Sequence, residues 1–213
     1  MKKHLNRFQT TKDCNVKISE DGEKIWFSYP SMVENTDEYL KNQVLLEFGG
    51  RNVIDPNEIH TIQPYISEYL PQLQFPTGNI TVLSPSRTFW EKATLIHVAC
   101  SRGTITPSAH RIARHWYDLV KMSQHEIGIK ALGNKGLFKD VVQHKKVFYH
   151  AGNANYDACL EHKIKLLPDE NLLNNLETDY NEMINAGMIY NDPPLFSEIV
   201  GSISNLEDII NKK

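Results

Sequence analysis

Residues 84–118 hold nearly all the charged side chains of this chain that can share one site. Lys92 lies in the first half of this stretch, and Arg111, Arg114 and Asp118 lie in the second half. Ammonium and guanidinium groups bind phosphate oxygens, so these cations are suited to contact a nucleotide or an RNA backbone. Arg114 and Asp118 are also four residues apart. Pairs of opposite charges at this spacing are common on exposed helices and stabilise them by about 0.2–0.5 kcal/mol per pair. Spacing alone leaves a phosphate site and a solvated helix surface as alternatives.

A first helix should position Lys92. Thr88 and Glu91 are three residues apart, as in a capping box, which predicts a helix from Thr88 to about Ser101. Gly103 should follow its end. Apolar residues recur at helical spacing, and Lys92 lies at the edge of their stripe, so we expect it to be half-exposed. The predicted buried stripe consists of Phe89, Ala93, Ile96 and Cys100.

A second helix should position the other charged residues. It is predicted to begin after Pro107 and to run through Arg111 to about Ser123. Its predicted buried residues are Ile112, Trp116, Leu119 and Val120. Arg111, Arg114 and Asp118 should then project from the opposite side of this helix.

Two strings in these helices resemble the hallmark motifs of a known family. RTFWEKATLIH at residues 87–97 and RIARHWYDL at residues 111–119 are similar to motifs of the AbiEii/AbiGii nucleotidyltransferase toxins. QVLLEFGGRN, HKKVFYH and DYNEMINAGMIYNDPPLF resemble other parts of the later two-thirds of that family. The resemblance implies a toxin of a type IV toxin–antitoxin or phage-abortive system. It further implies transfer of a nucleotide from a nucleoside triphosphate to RNA or another acceptor, with Mg²⁺, and an antitoxin partner.

The resemblance also assigns roles to single residues. Lys92 takes the place of the family lysine that meets the triphosphate, and Asp118 matches the later catalytic carboxylate. Asp118 would either orient Lys92 or assist the acceptor hydroxyl. Arg111 and Arg114 would hold phosphates or the RNA backbone. Arg87 would serve as an anion contact at the start of the helix or as a structural salt bridge.

One family motif has no counterpart in the sequence. The family begins with a Gly-Ser or Gly-Thr turn that is followed by an Asp-x-Asp or Asp-x-Glu pair. Here Arg51 follows the two glycines at residues 49–50, and Asp55 and Glu58 have the wrong spacing. The missing carboxylates hold the metal ions that bridge the triphosphate during in-line attack.

The missing motif leads to two alternatives. The chain is either a truncated, split or inactive nucleotidyltransferase, whose N-terminal nucleotidyltransferase fragment would be a separate partner, or a non-catalytic module. Such a module would bind RNA, a nucleotide or a protein. In both cases we expect this chain alone to be inactive and to bind neither Mg²⁺ nor a nucleoside triphosphate tightly.

The first part of the sequence has the patterns of β-strands. NVKISEDGEKIWFSYP alternates on both sides of Asp21 and Gly22, which predicts a hairpin. QVLLEF at residues 43–48 predicts another strand, and residues 62–70 and 79–83 should also be extended. Glu47 is the acid in QVLLEF. It would be a third catalytic carboxylate that points at the metal site, or it would lie on a solvated strand face or pair with Arg51.

The rest of the sequence is predominantly helical. We predict helices at residues 137–148, 169–188 and 195–211, with a loop at residues 130–136. The expected fold class is therefore α+β, with a partial nucleotidyltransferase-like sheet followed by a helical half. The expected division is a strand-rich part at residues 1–85 and a helical part at residues 86–213.

Composition sets further limits. A chain of 213 residues with 40% hydrophobic and 23% charged residues has the composition of a globular protein. The net charge of −3 gives no overall attraction to nucleic acid, so RNA contacts would need a local basic patch. Cys14, Cys100 and Cys159 are expected to be free thiols in a reducing compartment. No apolar run reaches the length of a membrane span, so we expect a cytoplasmic protein.

Overall fold

The structure is a computed structural model that describes residues 14–31, 39–51, 53–103, 111–149, 152–189 and 191–212. The strands are β1 (Asn15–Ile18), β2 (Lys24–Ser28), β3 (Gln43–Glu47), β4 (Asn57–Ile62) and β5 (Gly78–Leu83). The helices are α1 (Pro85–Arg102), α2 (Ala113–Ser123), α3 (Glu126–Gly133), α4 (Lys135–Phe148), α5 (Tyr156–Leu160), α6 (Glu170–Asn185) and α7 (Phe196–Asn211). The predicted α+β class is confirmed. Among the described residues, no helix is both long and apolar enough to cross a membrane.

The strands form two antiparallel sheets, one of β1, β2 and β3 and one of β4 and β5. The predicted hairpin is confirmed, with Gly22 in the left-handed region at φ 74° between β1 and β2. The strand predicted in QVLLEF is β3, which pairs with β2. The predicted extension across residues 62–70 is wrong beyond β4, because Tyr65–Glu68 forms a 3-10 helix. Pro64 precedes this turn, and its carbonyl accepts a hydrogen bond from the Ser67 N–H at 2.9 Å.

Residue contacts divide the chain into two compact units. The first comprises Met1–Asn52 and Asn181–Pro193, and the second comprises Val53–Tyr180 and Pro194–Lys213. The three-stranded sheet belongs to the first unit, while β4, β5 and most helices belong to the second. The division predicted at residue 85 separates the strands from the helices. It therefore differs from the two compact units, which residue contacts define.

Helix α1 begins earlier than predicted, at Pro85 rather than Thr88. Proline is favoured at the first helical position because its fixed φ suits the helix and its missing N–H has no partner there. The predicted capping box is therefore wrong. The Thr88 hydroxyl instead donates to the Ser84 carbonyl at 3.2 Å. The predicted apolar stripe is confirmed, since Phe89, Ala93, Ile96 and Cys100 are all buried.

The end of α1 requires a glycine. Gly103 has φ 66°, and a Cβ atom there would lie 2.8 Å from Asp169 Oδ2. We expect Gly103→Ala to lower the free energy of unfolding by at least about 1 kcal/mol. The matched control is Gly201→Ala in α7, where a Cβ would meet nothing within 4 Å. Because alanine is the better helix former, this variant should gain about 0.5–1 kcal/mol in urea denaturation. Equal stability of the two variants would contradict the prediction.

The start of helix α2 depends on a distant carboxylate. Part of the predicted start falls on residues 104–110, which lie outside the described residues. Arg111 was predicted to be helical, but it has φ 70° and lies before α2, which begins at Ala113. Asp179 of α6 accepts hydrogen bonds from the N–H groups of Arg111 at 3.0 Å and Ala113 at 2.6 Å. Trp116, Leu119 and Val120 are buried as predicted, whereas Ile112 is half-buried.

A short helix replaces the loop predicted at residues 130–136. Helix α3 ends at Gly133, and only Asn134 separates it from α4. The Asn134 side chain accepts a hydrogen bond from the Leu137 N–H and so caps α4. Gly128 lies within α3, where a Cβ would approach the Ser123 backbone to 2.6 Å, so this glycine is required by packing. The helices predicted at residues 137–148, 169–188 and 195–211 correspond to α4, α6 and α7 to within three residues at each end, whereas α5 was not predicted.

A segment without regular secondary structure, residues 163–167, is held by side chains rather than by a sheet. The backbone N–H groups of residues 164–167 donate to the side chains of Asn211, His97 and Glu207. The Trp116 indole donates to a carbonyl of the same segment at 3.0 Å. We call residues 163–167 the strap. It bonds to three helices, α1, α2 and α7, through His97, Trp116, Glu207 and Asn211.

Candidate nucleotide site on helices α1 and α2

Lys92 and Asp118 are in direct contact. The Lys92 Nζ atom lies 2.7 Å from Asp118 Oδ2, although the residues are 26 positions apart. The side chains are 21% and 42% exposed, so the pair is open to solvent on one side. Partly exposed ion pairs contribute only about 0–1 kcal/mol to stability, so this pair is not a major support of the fold.

His115 is a third member of this cluster, and the sequence analysis did not select it. Its Nδ1 atom lies 3.5 Å from Lys92 Nζ. Burial lowers the pKa of His115 to about 4, and the positive charges of Lys92 and Arg114 act in the same direction. The imidazole is therefore neutral at pH 7. The available signal was its spacing, because His115 and Asp118 are three residues apart and so share one helix face.

The two arginines predicted to bind phosphate occupy different environments. Arg114 is exposed on α2. Arg111 is half-buried just before α2, so the prediction that both project from one helix is wrong. Its left-handed backbone places its side chain outside the i, i+3 and i+4 pattern of the helix. Their roles as phosphate contacts stay a prediction.

Arg87 lies in a buried network on the other side of α1. Its guanidinium is fully buried, and Nη1 donates to the Asp55 carbonyl at 2.9 Å and to Asp140 Oδ2 at 2.7 Å. Its Nε atom donates to Glu91 Oε1 at 3.3 Å. Lys145 Nζ lies 3.8 Å from the other Glu91 oxygen, and burial lowers the pKa of Lys145. Of the two roles considered for Arg87, an anion contact and a structural salt bridge, these contacts support the salt bridge.

Glu47 lies on β3 in the first unit, whereas Lys92 and Asp118 belong to the second. Glu47 Oε1 pairs with Lys24 Nζ at 3.1 Å, with side chains 60% and 47% exposed. Lys24 is the residue opposite Glu47 on β2. Glu47 therefore lies on a solvated face and pairs with Lys24, whereas the alternative in the sequence analysis named Arg51. Its role as a third carboxylate stays a prediction.

The described residues do not fit the Mg²⁺ ion that the family resemblance implies. Among them, no group of three or more His, Cys, Asp or Glu side chains is arranged to hold a metal ion. Asp118, the carboxylate of the cluster, already binds the Lys92 ammonium. Cys14, Cys100 and Cys159 are free thiols, as predicted. Burial raises the pKa of both Cys100 and Cys159 to about 12, so neither thiol is suited to bind a metal or act as a nucleophile at neutral pH.

Comparison with known proteins supports the motif resemblance. The family model for the nucleotidyl transferase AbiEii toxin of type IV toxin–antitoxin systems matches residues 2–202. No curated protein and no solved structure matches the chain significantly. The family match spans nearly the whole sequence and includes both helices that form the Lys92 and Asp118 pair. The chain therefore belongs to the AbiEii family of nucleotidyltransferase toxins.

Proposed function

We propose that Lys92 and Asp118 form part of a site for transfer of a nucleotide from a nucleoside triphosphate to RNA or another acceptor. The observation that carries the proposal is the 2.7 Å contact between two residues that lie in the two family-like motifs. Two motifs on separate helices thus converge on one pair of opposite charges. The match of the whole chain to a nucleotidyltransferase family supports the same reaction class.

The chemistry of the pair suits this reaction. An ammonium group carries three N–H donors, and the contact with Asp118 uses one of them. His115 Nδ1 also lies 3.5 Å from the amine, and the N–H that neither side chain takes can stabilise the negative charge that develops on the departing pyrophosphate. The half-buried position strengthens this interaction, because the effective dielectric constant is lower than in water. Asp118 would keep the amine in place or accept the proton of the acceptor hydroxyl.

The metal-binding carboxylates of the reaction would come from elsewhere. The described residues provide no metal cluster, and the sequence has no Asp-x-Asp after a Gly-Ser or Gly-Thr turn. We propose that another polypeptide or segment supplies these carboxylates. Mg²⁺ and the nucleoside triphosphate would bind tightly only when the carboxylates are present. We also propose that the toxin works in the cytoplasm. Membership of a type IV toxin–antitoxin family implies an antitoxin as a further partner.

A labelling assay tests both parts of this proposal. We expect the isolated chain, with labelled nucleoside triphosphates, Mg²⁺ or Mn²⁺ and total RNA, to show no transfer above background. Clear labelling that Lys92→Met abolishes would contradict the inactivity of the isolated chain and would support the site. Labelling that persists in Lys92→Met would remove Lys92 from the reaction.

The alternative function is a module that binds RNA without catalysis, and the exposed Arg114 and half-exposed Lys92 favour it. RNA binding should then weaken steeply with added salt, because bound phosphates release counterions. Arg114→Gln should lower the salt-dependence slope by about 1 in a filter-binding titration. The matched control is Lys130→Gln in α3, which removes an exposed cation outside both motifs and should leave the slope unchanged. Salt-independent binding would contradict this function.

A further inference from the structure

The Lys92 ammonium has two acceptors on helix α2. One is Asp118 Oδ2 at 2.7 Å, and the other is His115 Nδ1 at 3.5 Å. Both acceptors lie on the same face of α2, one helical turn apart. Since an ammonium group has three N–H donors, these two contacts leave one donor for a group outside the protein.

We propose that His115 is a positioning residue that holds the Lys92 ammonium beside Asp118 and directs its remaining N–H towards a triphosphate. This inference rests on the proposed function of Lys92. Lysine has a flexible four-carbon stem, so one carboxylate contact alone leaves the amine free to rotate about that contact. A second acceptor on the same rigid helix restricts that rotation.

The second acceptor is suited to the task because it is uncharged. Asp118 already balances the charge of the amine, so a second carboxylate would make the cluster net negative and repel phosphate, whereas a neutral imidazole adds no negative charge. Burial and the charges of Lys92 and Arg114 keep the pKa of His115 low, although Asp118 and Asp179 oppose the shift. With its proton on Nε2, the imidazole presents the Nδ1 lone pair to Lys92.

Two substitutions of His115 distinguish the effect of its hydrogen-bond acceptor from the effect of its ring volume. His115→Phe keeps a planar ring and removes the acceptor, while His115→Asn places an amide oxygen near the position of Nδ1. The Lys92 ammonium can be followed by ¹⁵N NMR of the full chain. We expect its hydrogen-exchange rate to rise about tenfold in His115→Phe and to stay within about twofold of wild type in His115→Asn. An unchanged rate in His115→Phe, with the chain folded by circular dichroism, would overturn the inference.

Titration with a non-hydrolysable ATP analogue separates this inference from the proposed function. Lys92→Met should weaken binding, His115→Phe should weaken it by about tenfold, and His115→Asn should restore most of the loss. Analogue binding that Lys92→Met does not weaken would contradict the proposed function, whereas absent binding agrees with a chain that lacks the metal carboxylates. In both cases the NMR result still decides whether His115 holds the amine. Weakening by Lys92→Met without weakening by His115→Phe would overturn the role of His115 alone.

Discussion

Replacement of Arg87 by methionine should lower the free energy of unfolding by about 2–4 kcal/mol. The guanidinium is fully buried and joins α1 to α4 and to the backbone before β4 through Asp140 and Asp55. Methionine fills much of the space but leaves the Asp55 carbonyl and Glu91 Oε1 without the donors that Arg87 supplies, while Lys145 stays beside the other Glu91 oxygen. Asp140 is 61% exposed and can be solvated, which keeps the cost below that of a fully buried pair.

Urea denaturation of three variants tests this expectation. Lys130→Met breaks the ion pair with Glu126, in which both side chains are 66% exposed, and it should change stability by less than about 0.5 kcal/mol. Asp140→Asn added to Arg87→Met should cost little more, because the two residues act as one pair. Arg87→Met with a loss as small as that of Lys130→Met would contradict the buried network. If Arg87→Met lowers the free energy of unfolding by the expected amount, weaker RNA binding by Arg87 variants would reflect unfolding and not the loss of a phosphate contact.

Acid should destabilise the protein through the buried His97 and the half-buried His115. Burial lowers the pKa of His97 below 6.5 and the pKa of His115 to about 4. Well above pH 6.5 both imidazoles are neutral in the folded and unfolded chains, so they add no pH dependence there. Below pH 6.5 the unfolded chain binds protons that the folded chain does not bind. The free energy of unfolding should therefore fall with pH, by up to about 1.4 kcal/mol per pH unit for each histidine.

Substitution isolates the histidine contribution from that of the carboxylates. We expect His97→Gln and His115→Asn to be less stable than wild type at pH 7, because each loses native contacts. Their stability should then decline less steeply between pH 6.5 and pH 4. Urea titrations at half-unit steps of pH measure the slopes directly. Slopes parallel to that of wild type would show that neither imidazole titrates differently on unfolding.

The sequence predicted those parts of the fold that local patterns determine. The hairpin around Gly22 and the buried stripe of α1 follow from alternation and helical spacing, and both were correct. The start of α2 was predicted wrongly because the N–H groups there bond to Asp179, which lies 66 residues after Ala113. Helix α3 was missed because Gly128, which is a poor helix former, is required there by the approach of the Ser123 backbone.

The same distinction applies to the candidate site. Motif resemblance selected Lys92 and Asp118, and the fold places them 2.7 Å apart. It did not indicate which residues of α2 would complete the cluster, because His115 acquires its low pKa only from burial and from neighbours that folding brings together. The sequence left Arg87 as either an anion contact or a structural salt bridge, because its partner Asp140 is 53 residues away.

The strap at residues 163–167 affects how the helical part can unfold. Helices in a bundle often fray or detach separately, since each keeps its own backbone hydrogen bonds. Here His97, Trp116 and Glu207 from three helices share one segment, which has no ladder of its own. Detachment of α7 exposes the N–H groups that Glu207 had bound, so the strap loosens at once from α1 and α2 as well. These helices should consequently open as one cooperative unit, and an insertion in this apparent loop should be tolerated as poorly as one in a core helix.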